Sequence, residues 1–172
     1  TGAEKSVAEL SQRLDQRATP LDEIRLDALE RVDDELFALV ERHGARLLVC
    51  CRPRRQGGSW RGDEADRLEL LRRAHDAGAR WVDIEADVEP VALSDFDGAR
   101  LLISWHDLEG CPADLGARLA ELRARRPGAV KLAVTVSDAA ELGRLLELRD
   151  DRGPPTLLIG MGPAGLLTRT HY

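Results

Sequence analysis

The sequence lacks any uncharged apolar run of about 18 residues, so no membrane-spanning helix is expected. It also lacks an excess of positive charge: 25 Lys and Arg stand against 31 Asp and Glu, for a net charge of -6. That balance excludes a broad surface for nucleic acid or an anionic membrane, and an anionic ligand would need a local basic pocket. Cysteine is scarce. Cys50, Cys51 and Cys111 form neither a metal-ligand spacing nor a disulfide framework, so no metal site is expected. The adjacent Cys50 and Cys51 fall on one expected strand, point to opposite faces and read as small buried hydrophobes. No signal sequence is visible in the opening Thr-Gly-Ala-Glu-Lys, which leads into a polar helical pattern, and a cytoplasmic location is expected. No low-complexity linker divides the 172 residues, a length suited to one domain over residues 1–172.

What is present is a repeated alternation of short β-like runs with amphipathic helical stretches, the pattern of βα units and a parallel sheet. Six strands are predicted: Leu21 to Leu26, Arg46 to Arg52, Trp81 to Asp87, Arg100 to His106, Ala129 to Val136 and Thr156 to Met161. A first helix is expected over about Glu4 to Arg17. Later helices place apolar residues three and four apart, as in Leu68, Leu71 and Ala74 or Leu115, Leu119 and Leu122. Gly44, Gly78 and Gly128 are expected to end helices.

The strands alternate in polarity. Glu23, Arg25 and Asp27 interleave with Ile24 and Leu26; Asp83, Glu85 and Asp87 interleave with Val82, Ile84 and Ala86; Lys131, Ala133 and Thr135 interleave with Val130, Leu132, Val134 and Val136. An open doubly wound sheet covered by helices on both faces would have strands apolar throughout. One greasy and one polar face suits instead a (β/α)8 TIM barrel, with helices outside and convergent polar groups inside. Six strands are too few for a closed barrel of eight, so an incomplete barrel of about six βα units is expected.

Active sites of such barrels form at the C-terminal ends of the strands. Arg52, Glu85, His106 and Lys131 collect there. A lysine inside an apolar strand either pairs with a carboxylate, Glu23 or Asp83 being candidates, or serves as a nucleophile toward a ketone, since burial favours the neutral amine. His106, at a strand terminus, is either a structural group or an exchanger of protons near neutral pH, and Glu85 on the neighbouring strand is suited to orient it. His43 and His75 are expected at the surface. The loop Arg52-Pro53-Arg54-Arg55-Gln56-Gly57-Gly58-Ser59-Trp60 combines cationic charge with a glycine pair that can present backbone N–H groups to a carboxylate. Gly160-Met161-Gly162-Pro163 lets backbone pass close to a ligand or simply turns from strand to helix.

Taken in order, these strings resemble the type I (Schiff-base) 3-dehydroquinate dehydratases over essentially the whole chain. Glu23-Ile24-Arg25-Leu26-Asp27 resembles E-x-R-x-D, and Cys51-Arg52-Pro53 with Gln56-Gly57-Gly58 resembles the family's arginine and E-G-G loop. Val82-Asp83-Ile84-Glu85 resembles V-D-x-E, Ser104-Trp105-His106-Asp107 resembles S-x-H-D, and Val130-Lys131-Leu132-Ala133 resembles V-K-x-A. Met161-Gly162, Gly165 and Thr168-Arg169 resemble M-G-x-x-G-x-x-S-R. Gln56 stands where the family has glutamate and Thr168 where it has serine.

The resemblance implies a lyase that converts 3-dehydroquinate to 3-dehydroshikimate in the shikimate pathway of aromatic amino acid biosynthesis. In it Lys131 forms the Schiff base, His106 is the acid and base, and Glu85 orients it. Arg52 and Arg169 would hold the anionic substrate, Glu23 and Arg25 would shape its polar pocket, and Met161 would contact it. No cofactor is implied, nor any nucleic-acid or membrane partner, and the reading leaves room for a homodimer. The family's first strand, and its last strand with the preceding substrate-covering loop, have no counterpart here, so a fragment is expected. Two rival readings stay open: a non-catalytic, dehydratase-like metabolite-binding domain, and another Schiff-base barrel of the class I aldolase type.

Overall fold

A computed structural model describes residues 4–17, 19–150 and 152–168, together with the backbone but not the side chain of Arg169. Among them are six strands and five α-helices, and the chain divides into two compact units, residues 1–84 with 94–96, and residues 85–93 with 97–172. No described helix is long and apolar enough to cross a membrane.

The first unit contains α1 (Val7–Gln16), β1 (Asp22–Arg25), α2 (Asp34–His43), β2 (Leu47–Cys50), α3 (Glu64–Asp76) and most of β3 (Trp81–Glu85). Its strands are parallel in the order β1-β2-β3. Two of these helices start where the sequence supplies an acceptor for an open backbone N–H group: Ser6 caps α1 through the Glu9 amide and Asp33 caps α2 through the Leu36 amide. Val7, Leu10 and Leu14 turn one face of α1 inward, and Leu36, Phe37, Leu39 and Val40 do so for α2.

Gly44 and Gly78 lie at helix ends as expected, for different reasons. Gly78 has a φ of +93°, a left-handed conformation open to glycine. Gly44 is right-handed, and it must be small because a Cβ there would meet the Gly78 carbonyl oxygen at 2.4 Å. The buried stripe of α3 runs through Arg67, Leu71, Ala74 and His75, leaving Leu68 half-buried. His75 is therefore not the surface residue expected. It stands four residues beyond Leu71 on the same face, and its ring meets Phe96 edge-on at 5.6 Å.

The second unit contains β4 (Leu101–Asp107), α4 (Leu115–Ala124), β5 (Ala129–Thr135), α5 (Ala139–Leu146) and β6 (Thr156–Met161), closed by a 3-10 helix over Pro163–Arg169. Its strands are parallel in the order β4-β5-β6. Leu115, Leu119 and Leu122 of α4 and Leu142 and Leu145 of α5 are buried, and Asp138 caps α5 through the Glu141 amide at 2.9 Å. Gly128 does not end α4. The helix stops at Ala124 ahead of Pro127, which cannot continue it, and Arg126 takes the left-handed turn at φ +54°. Gly128 instead donates its N–H to the Gly98 carbonyl at 2.7 Å.

Candidate active site

In parallel strands, residues paired in register project to the same face, so the pairing itself sorts the functional side chains. In the second unit Ser104 pairs with Lys131 and Lys131 with Leu157; His106 pairs with Ala133 and Ala133 with Ile159. Lys131 and His106 thus share a face of neighbouring strands. They are offset by two residues, on the order of 7 Å along the strand and 5 Å across it, within the span of a lysine stem. Glu85 joins the same row: the amide of Ala86 donates to the Ser104 carbonyl at 2.8 Å, which sets Glu85 beside Ser104. Glu85 and Ser104 are fully buried, and Lys131 is 9% exposed. The apolar residues on the opposite face, Val130, Leu132 and Val134, are completely buried. The lysine is therefore the one charged residue of β5.

Past His106 the chain turns on Asp107, whose carboxylate accepts the Glu109 and Gly110 amides at 2.9 and 3.0 Å. Trp105 points to the other face and stacks under the Arg118 guanidinium, 5.0 Å from its ring centre. Met161 pairs with Thr135, one further step along the row that carries Lys131 and Ala133. On either side of it in the chain, Gly160 and Gly165 cross in near contact: a Cβ on Gly165 would lie 2.2 Å from the Gly160 carbonyl. Thr168 closes this crossing, accepting the Gly160 amide at 3.0 Å and donating to the Gly165 carbonyl at 2.8 Å. Serine would make both bonds, so the departure from the family's serine leaves this function intact. Arg169 ends this 3-10 helix, and its side chain lies outside the described residues.

In the first unit Arg25 pairs with Cys50 and Cys50 with Asp83, so these residues form one row, with Glu23 on the same face. The Cys50 thiol is 3.5 Å from a Glu23 carboxylate oxygen. Arg52 is buried and donates Nη2 to Asp83 at 2.6 Å. The hub of this cluster is Asp27. Its two oxygens accept Arg25 Nε and Nη2 at 2.8 and 2.5 Å, the Arg52 amide at 2.9 Å and the Ser59 amide at 2.9 Å. Burial pushes the Asp27 carboxyl up, but the Arg25 hydrogen bonds and the two amides outweigh it and hold the group below the usual aspartate range. The same pairing holds the Arg25 guanidinium above its ordinary value.

The loop after Arg52 folds back by virtue of its glycines. Gly57 is left-handed at φ +78°, and Gly58 passes so close that a Cβ would sit 1.9 Å from the Arg52 carbonyl oxygen. Gln56 is buried here.

Sequence reasoning singled out neither Asp27 as a hub nor Arg67, the fully buried arginine of α3. Asp27 was assigned to the alternating strand, whereas it lies in the short 3-10 turn Leu26–Ala28 just beyond β1. Arg67 sits seven residues before Ala74 and four before Leu71, a core spacing that only its charge disguised. Among the described residues no group of three or more His, Cys, Asp or Glu side chains could hold a metal ion.

A family model described as type I 3-dehydroquinase matches residues 3–172. A 3-dehydroquinate dehydratase of Syntrophobacter fumaroxidans is 33% identical over 96% of this chain and 76% of its own length. The bifunctional 3-dehydroquinate dehydratase/shikimate dehydrogenase of Arabidopsis thaliana is 30% identical over 86% of this chain, which spans only 26% of that protein. A 3-dehydroquinate dehydratase of Pyrobaculum aerophilum is 34% identical, with half of its length, 50%, covered. Among solved structures, the 3-dehydroquinate dehydratase of Enterococcus faecalis superposes with a TM-score of 0.81 at 24% identity, covering 98% of this chain and 80% of that one. The type I enzyme of Clostridium difficile superposes at 0.82 and 18% identity, covering 97% and 76%. These superpositions assign the six βα units to the (β/α)8-barrel class expected from the strand alternation. On the match over residues 3–172 and the Syntrophobacter relative together, the chain belongs to the type I 3-dehydroquinase family.

Proposed function

We propose that residues 1–172 act as one catalytic domain that dehydrates 3-dehydroquinate to 3-dehydroshikimate and water through a Schiff base on Lys131, in the cytoplasm, on the route to aromatic amino acids. The Lys131 amine adds to the substrate ketone and water leaves, giving an iminium. His106 removes the proton from the adjacent carbon, and the electron pair flows into the iminium to form an enamine. The enamine then expels the β-hydroxyl, which leaves as water with a proton from His106. Hydrolysis of the product iminium frees Lys131. Glu85 orients the imidazole, Arg52 and Arg169 hold the substrate carboxylate, Glu23 and Arg25 shape the polar pocket, and Met161 lies against the substrate. The chemistry calls for no cofactor or metal, and the chain is free to act as monomer or homodimer.

The observation that carries this reading is the shared face of Lys131 and His106 on adjacent strands, with Lys131 a buried residue of β5. The test is borohydride reduction in the presence of 3-dehydroquinate, followed by peptide mass spectrometry. A reduced substrate adduct on Lys131, absent from Lys131→Met, is expected. Failure of the unsubstituted protein to form it, or an adduct accompanied by carbon–carbon cleavage products, would overturn the assignment.

A further inference from the structure

We propose that Asp27 and Arg67 are positioning residues that act together on the single peptide group from which Arg52 projects; the proposal rests on the reading of Arg52 as a substrate-holding residue. The peptide joining Cys51 to Arg52 is gripped at both poles. Its carbonyl accepts Arg67 Nη1 at 2.8 Å, and its N–H donates to Asp27 Oδ1 at 2.9 Å. A cation faces the negative end of the peptide dipole and an anion faces the positive end, so both contacts are charge-assisted and oppose rotation of that plane.

Each gripping group is itself braced. Arg67 donates Nε and Nη2 to Glu64 at 3.1 and 2.7 Å, and Asp27 is held by Arg25 and by the Ser59 amide. The next peptide is restrained too, since the Arg52 carbonyl accepts the Trp60 amide at 3.2 Å and has Gly58 packed directly on it. At its far end the Arg52 guanidinium meets Asp83 at 2.6 Å.

Packing alone does not account for Arg67. Its neighbours on the buried stripe of α3 are Leu71 and Ala74, and an aliphatic side chain would fill the position without desolvating a guanidinium. What the charge adds is a strong, directional bond to one carbonyl, one atom away from the amide that Asp27 holds. Arginine is rich in rotamers, and ordering its root and head before the substrate arrives lowers the entropy lost on binding. Removing either grip therefore acts on binding before it acts on chemistry.

The test uses the full-length protein with Asp27→Asn and Arg67→Lys, which retain polar contacts, each checked for folding by thermal unfolding. KM for 3-dehydroquinate is expected to rise about five- to tenfold with kcat changed less than about twofold, and Arg67→Lys is expected to be milder than Arg67→Met. In an Arg52→Ala background Arg67→Lys is expected to add no more than about a twofold change, because positioning has no effect once the positioned side chain is gone, while Asp27→Asn keeps there only the part of its effect that runs through Arg25. Borohydride trapping on Lys131 at saturating substrate is expected to persist in both variants.

Folded variants with unaltered KM, or an Arg67→Lys loss that recurs in full in the Arg52→Ala background, would overturn the proposal. Amide hydrogen exchange at Arg52 reads the grip without any turnover. A slow amide that speeds at least about tenfold in Asp27→Asn and in Arg67→Lys supports it, and an amide already fast in the unsubstituted protein refutes it. If the unsubstituted protein forms no adduct, the Schiff-base reading fails, and the exchange result still decides whether the two residues grip this peptide.

Discussion

Thr168 offers the sharpest separation between a side chain kept for its shape and one kept for its hydroxyl. It is 4% exposed, and its oxygen accepts the Gly160 amide at 3.0 Å while donating to the Gly165 carbonyl at 2.8 Å. The two glycine backbones cross closely, as the 2.2 Å between a hypothetical Gly165 Cβ and the Gly160 carbonyl shows. Thr168→Val keeps the shape and removes both bonds. Stranding a buried donor or acceptor costs about 1–3 kcal/mol, the carbonyl with its second lone pair at the lower end, for a loss of roughly 2–4 kcal/mol. Thr168→Ser keeps both bonds and loses one methyl, about 0.8 kcal/mol. Urea unfolding measures the difference: with a slope of about 2 kcal/mol/M, the valine variant is expected to unfold about 1–2 M earlier and the serine variant less than about 0.5 M earlier, the slope itself unchanged. Because Arg169 follows directly, kcat/KM is expected to fall in the valine variant and hold in the serine variant. A valine variant as stable as the serine variant would refute the assignment of the hydroxyl as the closing bond.

Three further outcomes are expected. The Asp27 carboxyl is held below its unfolded value of about 3.9, so its contribution is fully present above that pH and is lost as pH falls through the lower folded value; acid unfolding followed by circular dichroism is expected to show a shallower pH slope below about 4 in Asp27→Asn. Gly58→Ala places a Cβ 1.9 Å from the Arg52 carbonyl oxygen, against backbone that cannot yield cheaply, and calorimetry is expected to show a loss of about 1–3 kcal/mol; an unchanged melting temperature would contradict the closeness of that approach. Cys50 and Cys51 are wholly buried and Cys111 is half-buried with its thiol pushed up by burial, so a disulfide exchange reagent is expected to titrate one thiol slowly in the native protein and three after denaturation.

Strand number, strand direction and the sorting of side chains into two faces were legible because they depend on local spacing. Residues two apart on a strand share a face whatever lies around them, which is why Lys131, Ala133 and Thr135 could be grouped before any coordinate was known. All six strands lie where the alternation predicts, no end differing by more than two residues, and the family follows from ordered strings such as Val82-Asp83-Ile84-Glu85 that are themselves local. Helix ends were less legible: the stop at Ala124 was set by Pro127 and a left-handed Arg126, against the expectation placed on Gly128.

Tertiary structure alone decided which polar groups meet. No spacing in the chain says that the carboxylate of Asp27 reaches the amides of Arg52 and Ser59, 25 and 32 residues away, or that Arg67 grasps the carbonyl of Cys51. The burial of His75 against Phe96 was hidden in the same way, because periodicity counts apolar residues and passes over a charged or polar side chain whose cost is met by a distant partner. Local sequence sets the direction in which a side chain leaves the backbone; the register between strands and the approach of loops remote in sequence set what it finds there.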